Sequence, residues 1–174
     1  MNDSEGFRTV RGYLLLRRAA HELTPGMEDY LEMIYRIEQS DHCVRAHRLA
    51  KMLNVQAPSV SRVLRRLAQK GYIQSRPYGA IHLTAKGNKL GEFLLRRHTT
   101  VQQFLQHLGV HKSLLTDTEL IEHHLSEEAL TGLELLNEFL QQYPQIRGEL
   151  CAFIKQQKTK RRGTSASDPA RQER

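Results

Sequence analysis

The segment from His42 to Gly91 contains ten lysine and arginine residues and no aspartate or glutamate. The flanking segments have the opposite balance, with five acids against one arginine in 24–41 and nine acids against four bases in 92–154. The net charge of +7 is therefore concentrated in particular regions rather than dispersed. We expect residues 42–91 to form a separate basic surface that faces a polyanion such as nucleic acid.

Two helices joined by a short turn are predicted inside this basic segment. Residues 44–53 have the apolar spacing of a helix, and residues 54–57 form the turn. Pro58 begins a second helix, and Lys70-Gly71 is typical of a helix end. In this second helix the apolar residues recur at i, i+3, i+4 and i+7, which defines a buried face of Val60, Val63, Leu64 and Leu67.

A hairpin is predicted directly after the second helix. Two strand-like runs, 72–75 and 80–83, are separated by a turn at 76–79. The order helix, turn, helix and hairpin indicates a winged helix-turn-helix, whose second helix enters the major groove of DNA. Its Arg62 can bond guanine bidentately, whereas its other arginines are expected at phosphates. The predicted DNA-contacting residues are Gln56, Ser59, Ser61, Arg62, Arg65, Arg66 and Arg76.

The remainder of the chain is predicted to be helical, apart from its ends. Thr24-Pro25 is a helix start, which sets the DNA-binding domain at 24–91 after an extension of residues 1–23. A second domain is predicted over 92–157, with helices to about residue 107 and then at 117–124, 126–143 and 146–157. The tail, 158–174, is basic and lacks apolar residues, which predicts disorder.

The composition is that of a globular protein, with 39% hydrophobic and 26% charged residues. No apolar run approaches the ~18 residues of a membrane span, and the apolar run 13–16 is too short for a signal peptide. Cys43 and Cys151 match no metal or redox spacing. We expect a cytoplasmic protein without a membrane partner.

Carboxylates and imidazoles recur at helical spacing in both acidic segments. Asp29 and Glu32 stand at i, i+3, and far along the chain Glu119, Glu122 and His123 stand at i, i+3 and i+4. Clustered carboxylates repel one another unless a cation joins them or one takes up a proton. Oxygen and imidazole ligands suit Mn²⁺ and Fe²⁺. The same spacing is also that of a solvated helix face, so spacing alone leaves both interpretations open.

Several motifs together resemble one family. The segment TPGMEDYLEMIY at 24–35 resembles the opening helix of the manganese-responsive branch of the diphtheria-toxin-repressor (iron-dependent repressor) family. VQAPSVS at 55–61 is similar to its turn and recognition helix. IEHHLS at 121–126, with Arg97-His98 and Gly109-Val110, resembles its sensing and dimerisation domain. The resemblance covers residues 24–143 and implies a mainly α fold: a winged helix-turn-helix with a two-stranded wing, then an all-helical domain, with no SH3-like third domain.

The resemblance also implies a metal site. Two Mn²⁺ ions per subunit would share Glu119 and Glu122 as bridging ligands. The implied ligands are Asp29, Glu32, His98, Glu119, Glu122 and His123. The iron-sensing branch has methionine and cysteine where Asp29 and Glu119 stand, and Gln102 occupies a position where that branch places a carboxylate. The two oxygen ligands favour manganese, with Fe²⁺, Zn²⁺ or Cd²⁺ as expected substitutes.

The function implied by the resemblance is a manganese-dependent repressor. It would bind palindromic operator DNA as a homodimer, control metal-uptake genes and act on no small organic substrate. The predicted dimer residues lie on the helix after the wing: Val101, Phe104, Leu105 and Leu108. The alternatives are an iron- or zinc-responsive repressor, a metal-independent repressor that senses another ligand, and a di-metal carboxylate enzyme. Such an enzyme would need an open coordination position and a substrate cleft, and a short helical domain supplies no evident cleft.

Overall fold

The computed structural model of the protein describes residues 23–41, 43–75 and 79–165. Its elements, in chain order, are α1 (Pro25–Asp41), α2 (Ala46–Met52), α3 (Ala57–Gln69), β1 (Ile73–Ser75), β2 (Ile81–Leu83), α4 (Ala85–His107), α5 (Leu114–Glu122), α6 (Glu127–Gln142) and α7 (Pro144–Ser165). The predicted fold class, helices with one two-stranded antiparallel wing, is confirmed. The extension before Leu23, the wing tip at 76–78 and the tail beyond Ser165 lie outside the described residues.

The chain divides into two compact units, an N-terminal unit that ends at Leu95 and a C-terminal unit that begins at Arg96. Helix α4 contributes to both, and the predicted domain boundary at Gly91 lies in this same helix. None of the helices in the described part of the chain has an apolar stretch long enough to cross a membrane.

The N-terminal unit is built around one apolar cluster. Helix α3 buries Val60, Leu64 and Leu67 and half-buries Val63, as its i, i+3, i+4, i+7 spacing predicted. The buried hydrophobic residues of this unit are Leu23, Met27, Tyr30, Leu31, Ile34, Ile37, Val44, Leu49, Val60, Leu64, Leu67, Tyr72, Ile73, Ile81 and Leu94. Burial of this apolar surface is the main force that holds α1, α2, α3 and the hairpin together.

The hairpin is attached to the helices at both of its ends. Ile73 lies opposite Leu83 in the β1–β2 ladder, and Val44, just before α2, forms an isolated bridge with Ile81. Where the chain leaves β2, Thr84 caps α4: its Oγ1 accepts a hydrogen bond from the backbone N–H of Gly87 at 3.1 Å. A Cβ at Gly87 would lie 1.9 Å from the carbonyl oxygen of Tyr72, so only glycine permits this approach of helix to strand.

The C-terminal unit consists of the second half of α4 with α5, α6 and α7. Ser126 caps α6 by accepting from the N–H of Ala129 at 3.2 Å, as its helix-start sequence predicted. The buried hydrophobic residues here are few: Val101, Leu105, Leu130 and Leu140. Several polar side chains are buried among them: Arg97, His98, Thr100, Thr118, Glu122 and Asn137. Asn137 Nδ2 donates to the backbone oxygen of Thr100 at 2.9 Å and so links α6 to α4.

Several helix boundaries differ from the prediction, and those of α5 and α7 differ most. Helix α5 begins at Leu114 rather than 117 and ends at Glu122, with His123 as a C-cap that keeps right-handed helical dihedral angles. Helix α7 begins at Pro144 and continues to Ser165, through the first part of the segment expected to be disordered. One reason is Lys158, whose Nζ donates to the backbone oxygens of Leu108 at 3.1 Å and Gly109 at 3.2 Å, at the end of α4.

Candidate metal centre and DNA-binding surface

Helix α3 presents a polar, basic face opposite its buried face. Ser59, Ser61, Arg62, Arg65 and Arg66 are exposed, and Gln56, the N-cap residue of the helix, is exposed as well. The turn before α3 contains Asn54 in the left-handed conformation (φ 52°), which asparagine tolerates because its short amide can hydrogen-bond locally. This helix therefore offers donor-bearing side chains to a polyanion. Arg76, the remaining predicted DNA contact, lies outside the described residues.

The C-terminal unit brings together four of the six predicted metal ligands. Glu122, the last residue of α5, is 1% exposed. His98 of α4 is 4% exposed, and its Nδ1 lies 3.0 Å from Glu122 Oε2 and 3.9 Å from Glu119 Oε1. His123 Nε2 lies 3.9 Å from Glu122 Oε1. One ligand atom from each of Glu119, Glu122 and His123 lies within 4.8 Å of the others.

The surroundings of the Glu122 carboxylate show whether this cluster suits a cation. Both of its oxygens are buried, and within the described residues neither receives a hydrogen bond; His98 Nδ1 is close enough to donate but not aligned. A buried carboxylate is costly unless it is paired or coordinates a metal. Oxygen and imidazole donors at these separations suit Mn²⁺, Fe²⁺ or a similar divalent ion. The residues present therefore fit a divalent cation.

Arg97 is a member of this cluster that sequence reasoning did not assign. It is 8% exposed, and its Nη2 lies 3.2 Å from Nδ1 of His123. Its neighbour Arg96 instead points outward and pairs with Glu134 at 3.1 Å. The contact could not be predicted from the sequence, because Arg97 and His123 are far apart along the chain. The only sequence signal is that Arg97 directly precedes His98, a predicted ligand.

The other two predicted ligands, Asp29 and Glu32, belong to the N-terminal unit. Both are on α1, where Asp29 is half-buried and Glu32 is buried. Glu32 Oε1 accepts a hydrogen bond from Nε of Arg36 at 2.8 Å, one helical turn later. Burial, with the negative charge of Asp29, raises the pKa of the Tyr30 hydroxyl. Both carboxylates therefore belong to α1.

The four predicted dimer residues differ in their exposure. Val101 and Leu105 are buried within one protomer, because they form the core of the C-terminal unit, and they are not available to a partner. Phe104 and Leu108 are half-buried and stay predictions. In the described residues, the exposed large hydrophobic side chains of this unit are Leu115, Leu120, Ile121, Leu135, Leu136, Phe139, Tyr143, Ile146 and Phe153. Only Met52 is of this kind in the described part of the N-terminal unit.

Known proteins share both halves of this arrangement. A family model described as iron dependent repressor, N-terminal DNA binding domain, matches residues 22–81. A second model, iron dependent repressor, metal binding and dimerisation domain, matches residues 84–159. The basic α3 and the carboxylate–histidine cluster thus lie in the regions that match a DNA-binding and a metal-binding domain.

Individual proteins agree with these matches. The HTH-type transcriptional regulator MntR of Oceanobacillus iheyensis is 37% identical over 118 residues, which are 67% of this chain and 80% of that protein. The structure of the manganese regulator SloR is 30% identical with a TM-score of 0.58, covering 66% of this chain and 55% of SloR. The metal-dependent transcriptional regulator MtsR is 29% identical with a TM-score of 0.61, covering 67% of this chain and 55% of MtsR. The chain thus spans just over half the length of these two solved proteins.

These matches exclude the di-metal enzyme considered from the sequence, because the matching family and relatives are transcriptional regulators. The chain belongs to the iron-dependent repressor family, as a DNA-binding, metal-dependent transcriptional regulator.

Proposed function

We propose that this chain is a Mn²⁺-dependent repressor that binds a palindromic operator as a homodimer and controls metal-uptake genes. The observation that carries the metal part is the buried carboxylate of Glu122, which lies between two imidazoles and receives no hydrogen bond in the described part of the chain. A protein that buries a charge in this way needs a cation to offset its desolvation.

Manganese is the metal that the donor set favours. Hard and borderline cations prefer carboxylate oxygen with imidazole, and no thiolate or thioether belongs to the proposed set. SloR, which is similar to 66% of this chain, is a manganese regulator. Because Zn²⁺ binds most nitrogen and oxygen sites more tightly than Mn²⁺, an iron- or zinc-responsive repressor is the second candidate.

The proposed ligands divide between the two units. His98, Glu119, Glu122 and His123 belong to the C-terminal unit, and their proximity supports their part of the site. Asp29 and Glu32 join them in the proposal because α1 resembles the opening helix of the manganese-responsive branch. We propose two ions per subunit, with Glu119 and Glu122 as shared ligands. The ions would supply positive charge that offsets the repulsion among the carboxylates.

The proposed switch follows from this division. When Asp29 and Glu32 share an ion with ligands of the C-terminal unit, α1 is tied to the sensing helices and the DNA-binding domain is restrained. Two restrained recognition helices of a dimer can then reach successive major-groove turns, about 34 Å apart. A coupling free energy of about 1–3 kcal/mol would make operator binding roughly 5–150-fold tighter with metal than without.

The proposed dimer surface lies on the C-terminal unit. It would use the exposed hydrophobic side chains of this unit together with the half-buried Phe104 and Leu108, because exposed apolar side chains are typical of interaction surfaces. Phe139 and Tyr143 pack ring to ring, with centroids 4.8 Å apart, and aromatic side chains are enriched in protein interfaces.

The test is DNA binding across metals at fixed salt, because phosphate contacts make the affinity salt-dependent. Operator fragments are titrated with the protein without metal and with Mn²⁺, Fe²⁺ or Zn²⁺. We expect the largest gain with Mn²⁺, and we expect Glu119→Ala to lose that gain. Glu92→Gln, which changes an exposed acid on α4, is the matched control and should respond like the wild type. A Glu119→Ala variant that keeps the full metal response would show that the assigned site is wrong.

A further inference from the structure

The contact between Arg97 and His123 has a defined hydrogen-bond direction. Arg97 Nη2 and His123 Nδ1 are 3.2 Å apart, and Arg97 is buried. A guanidinium group has only donors and keeps its charge in proteins. Nδ1 must therefore accept this hydrogen bond, and a neutral His123 ring carries its single proton on Nε2.

This tautomer opposes metal binding by the same ring. Nε2 is the nitrogen of His123 near the carboxylate, 3.9 Å from Glu122 Oε1. A histidine ligates a metal only through a nitrogen that carries no proton. In most metal sites the second ring nitrogen donates its N–H to a carboxylate, a carbonyl or water, which leaves the first nitrogen free for the ion. In His123 the second nitrogen is Nδ1, and it faces the guanidinium donor of Arg97 instead of an acceptor.

We propose that Arg97 competes with the metal for His123. The guanidinium holds the ring in the tautomer with Nε2 protonated. The ring binds an ion through Nε2 only after the proton of Nε2 has been lost to water and Nδ1 has gained one in return, which breaks the hydrogen bond from Arg97. The ring is neutral before and after this exchange, with one proton in each tautomer. The inference deepens the proposed function and rests on it, because it takes His123 to be a ligand.

The charge of Arg97 acts in the same direction. Glu119 and Glu122 lie near His123, so a buried cation beside that ring partly offsets their repulsion before an ion binds. An incoming divalent cation then gains less electrostatic energy than it would from uncompensated carboxylates. Arg97 therefore raises the concentration of metal that the protein needs before it responds.

The first experiment needs no metal. Protein labelled with ¹⁵N at its histidines is measured by long-range ¹H–¹⁵N spectra in a chelated buffer, and His123→Gln identifies the signals of His123. We expect the Nε2–H tautomer of His123 in the wild type and in the control variant Arg96→Gln. Arg96 is a suitable control because in the wild type it is exposed and pairs with Glu134 rather than with His123. Arg97→Gln should move His123 toward the Nδ1–H tautomer. A wild-type His123 in the Nδ1–H form, or a tautomer that Arg97→Gln leaves unchanged, overturns the proposal.

The second experiment measures Mn²⁺ affinity by electron paramagnetic resonance of the free ion. Arg97→Gln should bind about tenfold more tightly, the scale on which hydrogen-bond partners of ligating histidines change metal affinity. Arg96→Gln should match the wild type. Equal affinity in Arg97→Gln and the wild type overturns the competition. If the wild type binds no Mn²⁺, the proposed function itself fails, whereas the tautomer of the metal-free protein is still decided by the first experiment. If Arg97→Gln does not fold, the wild-type tautomer alone decides.

Discussion

The two units of this molecule have cores of different kinds. In the described part of the N-terminal unit every buried side chain is hydrophobic except Glu32, whereas the C-terminal unit buries Arg97, His98 and Glu122 among only a few aliphatic residues. An apolar core is stable without any ligand, because its stabilisation comes from removing surface from water. A core with buried charges depends on what pairs with them. The difference predicts that metal changes the stability of the C-terminal core more than that of the apolar N-terminal core.

The largest expected effect is on the apolar core. Leu49 of α2 is fully buried, so Leu49→Ala should lower the free energy of unfolding by about 2–5 kcal/mol. Thermal or urea unfolding measures this, and the loss should be the same with and without Mn²⁺. Met52→Ala, which truncates a side chain that is 49% exposed on the same helix, should stay within about 0.5 kcal/mol of the wild type. If the loss of unfolding free energy in Leu49→Ala differed with and without Mn²⁺, the apolar core would depend on metal as well, which would contradict the comparison.

The next effect is on the charged core. At a Mn²⁺ concentration of about 100 times Kd, each bound ion should stabilise the wild type by roughly 2.7 kcal/mol. Glu122→Gln should abolish that gain, and it should raise the stability of the metal-free protein because a buried charge is removed. Unfolding curves with and without Mn²⁺ measure both changes, with Glu92→Gln as the control. If metal still stabilised Glu122→Gln fully, Glu122 would not be a ligand.

A third prediction separates base contacts from phosphate contacts on α3. Arg62→Gln should cost about 1–3 kcal/mol on the operator and relax its sequence preference. Arg65→Gln should weaken binding to all sequences similarly and reduce the salt slope by about 1. Competition titrations at several salt concentrations measure both. The ratio of affinities with and without Mn²⁺ should be the same in both variants, since the switch lies outside α3; a changed ratio would mean that these arginines take part in sensing.

The smallest effect concerns His107 at the end of α4. Burial, with the positive charge of Arg147, lowers the pKa of His107. The folded state therefore binds a proton less readily than the unfolded state, whose ordinary histidine pKa is about 6.5. Stability is fully present above that pH and falls as the pH drops toward the lowered pKa of the folded state. His107→Asn should lose slightly less stability than the wild type between pH 7.5 and pH 5.5, as measured by unfolding at both values.

The features that the sequence determined are local or periodic. The buried and exposed faces of α3 follow from a repeat of 3.6 residues, which any helix imposes on its own side chains. The hairpin and the capped start of α6 follow from turn and capping residues that act within a few positions. The acid-free basic segment and the carboxylate–histidine spacing could also be predicted from the sequence, because both are properties of residues close together along the chain.

Other features were decided only by packing between distant segments. Val101 and Leu105 have the spacing of an interface stripe, yet both side chains are buried in the core of their own protomer. Lys158 extends α7 because the fold brings the carbonyls of Leu108 and Gly109 within reach of its ammonium group. Arg97 meets His123 only because α4 packs against the end of α5. Helical periodicity shows which side chains share a face, but burial and pairing depend on what that face meets, and that is a property of the tertiary structure.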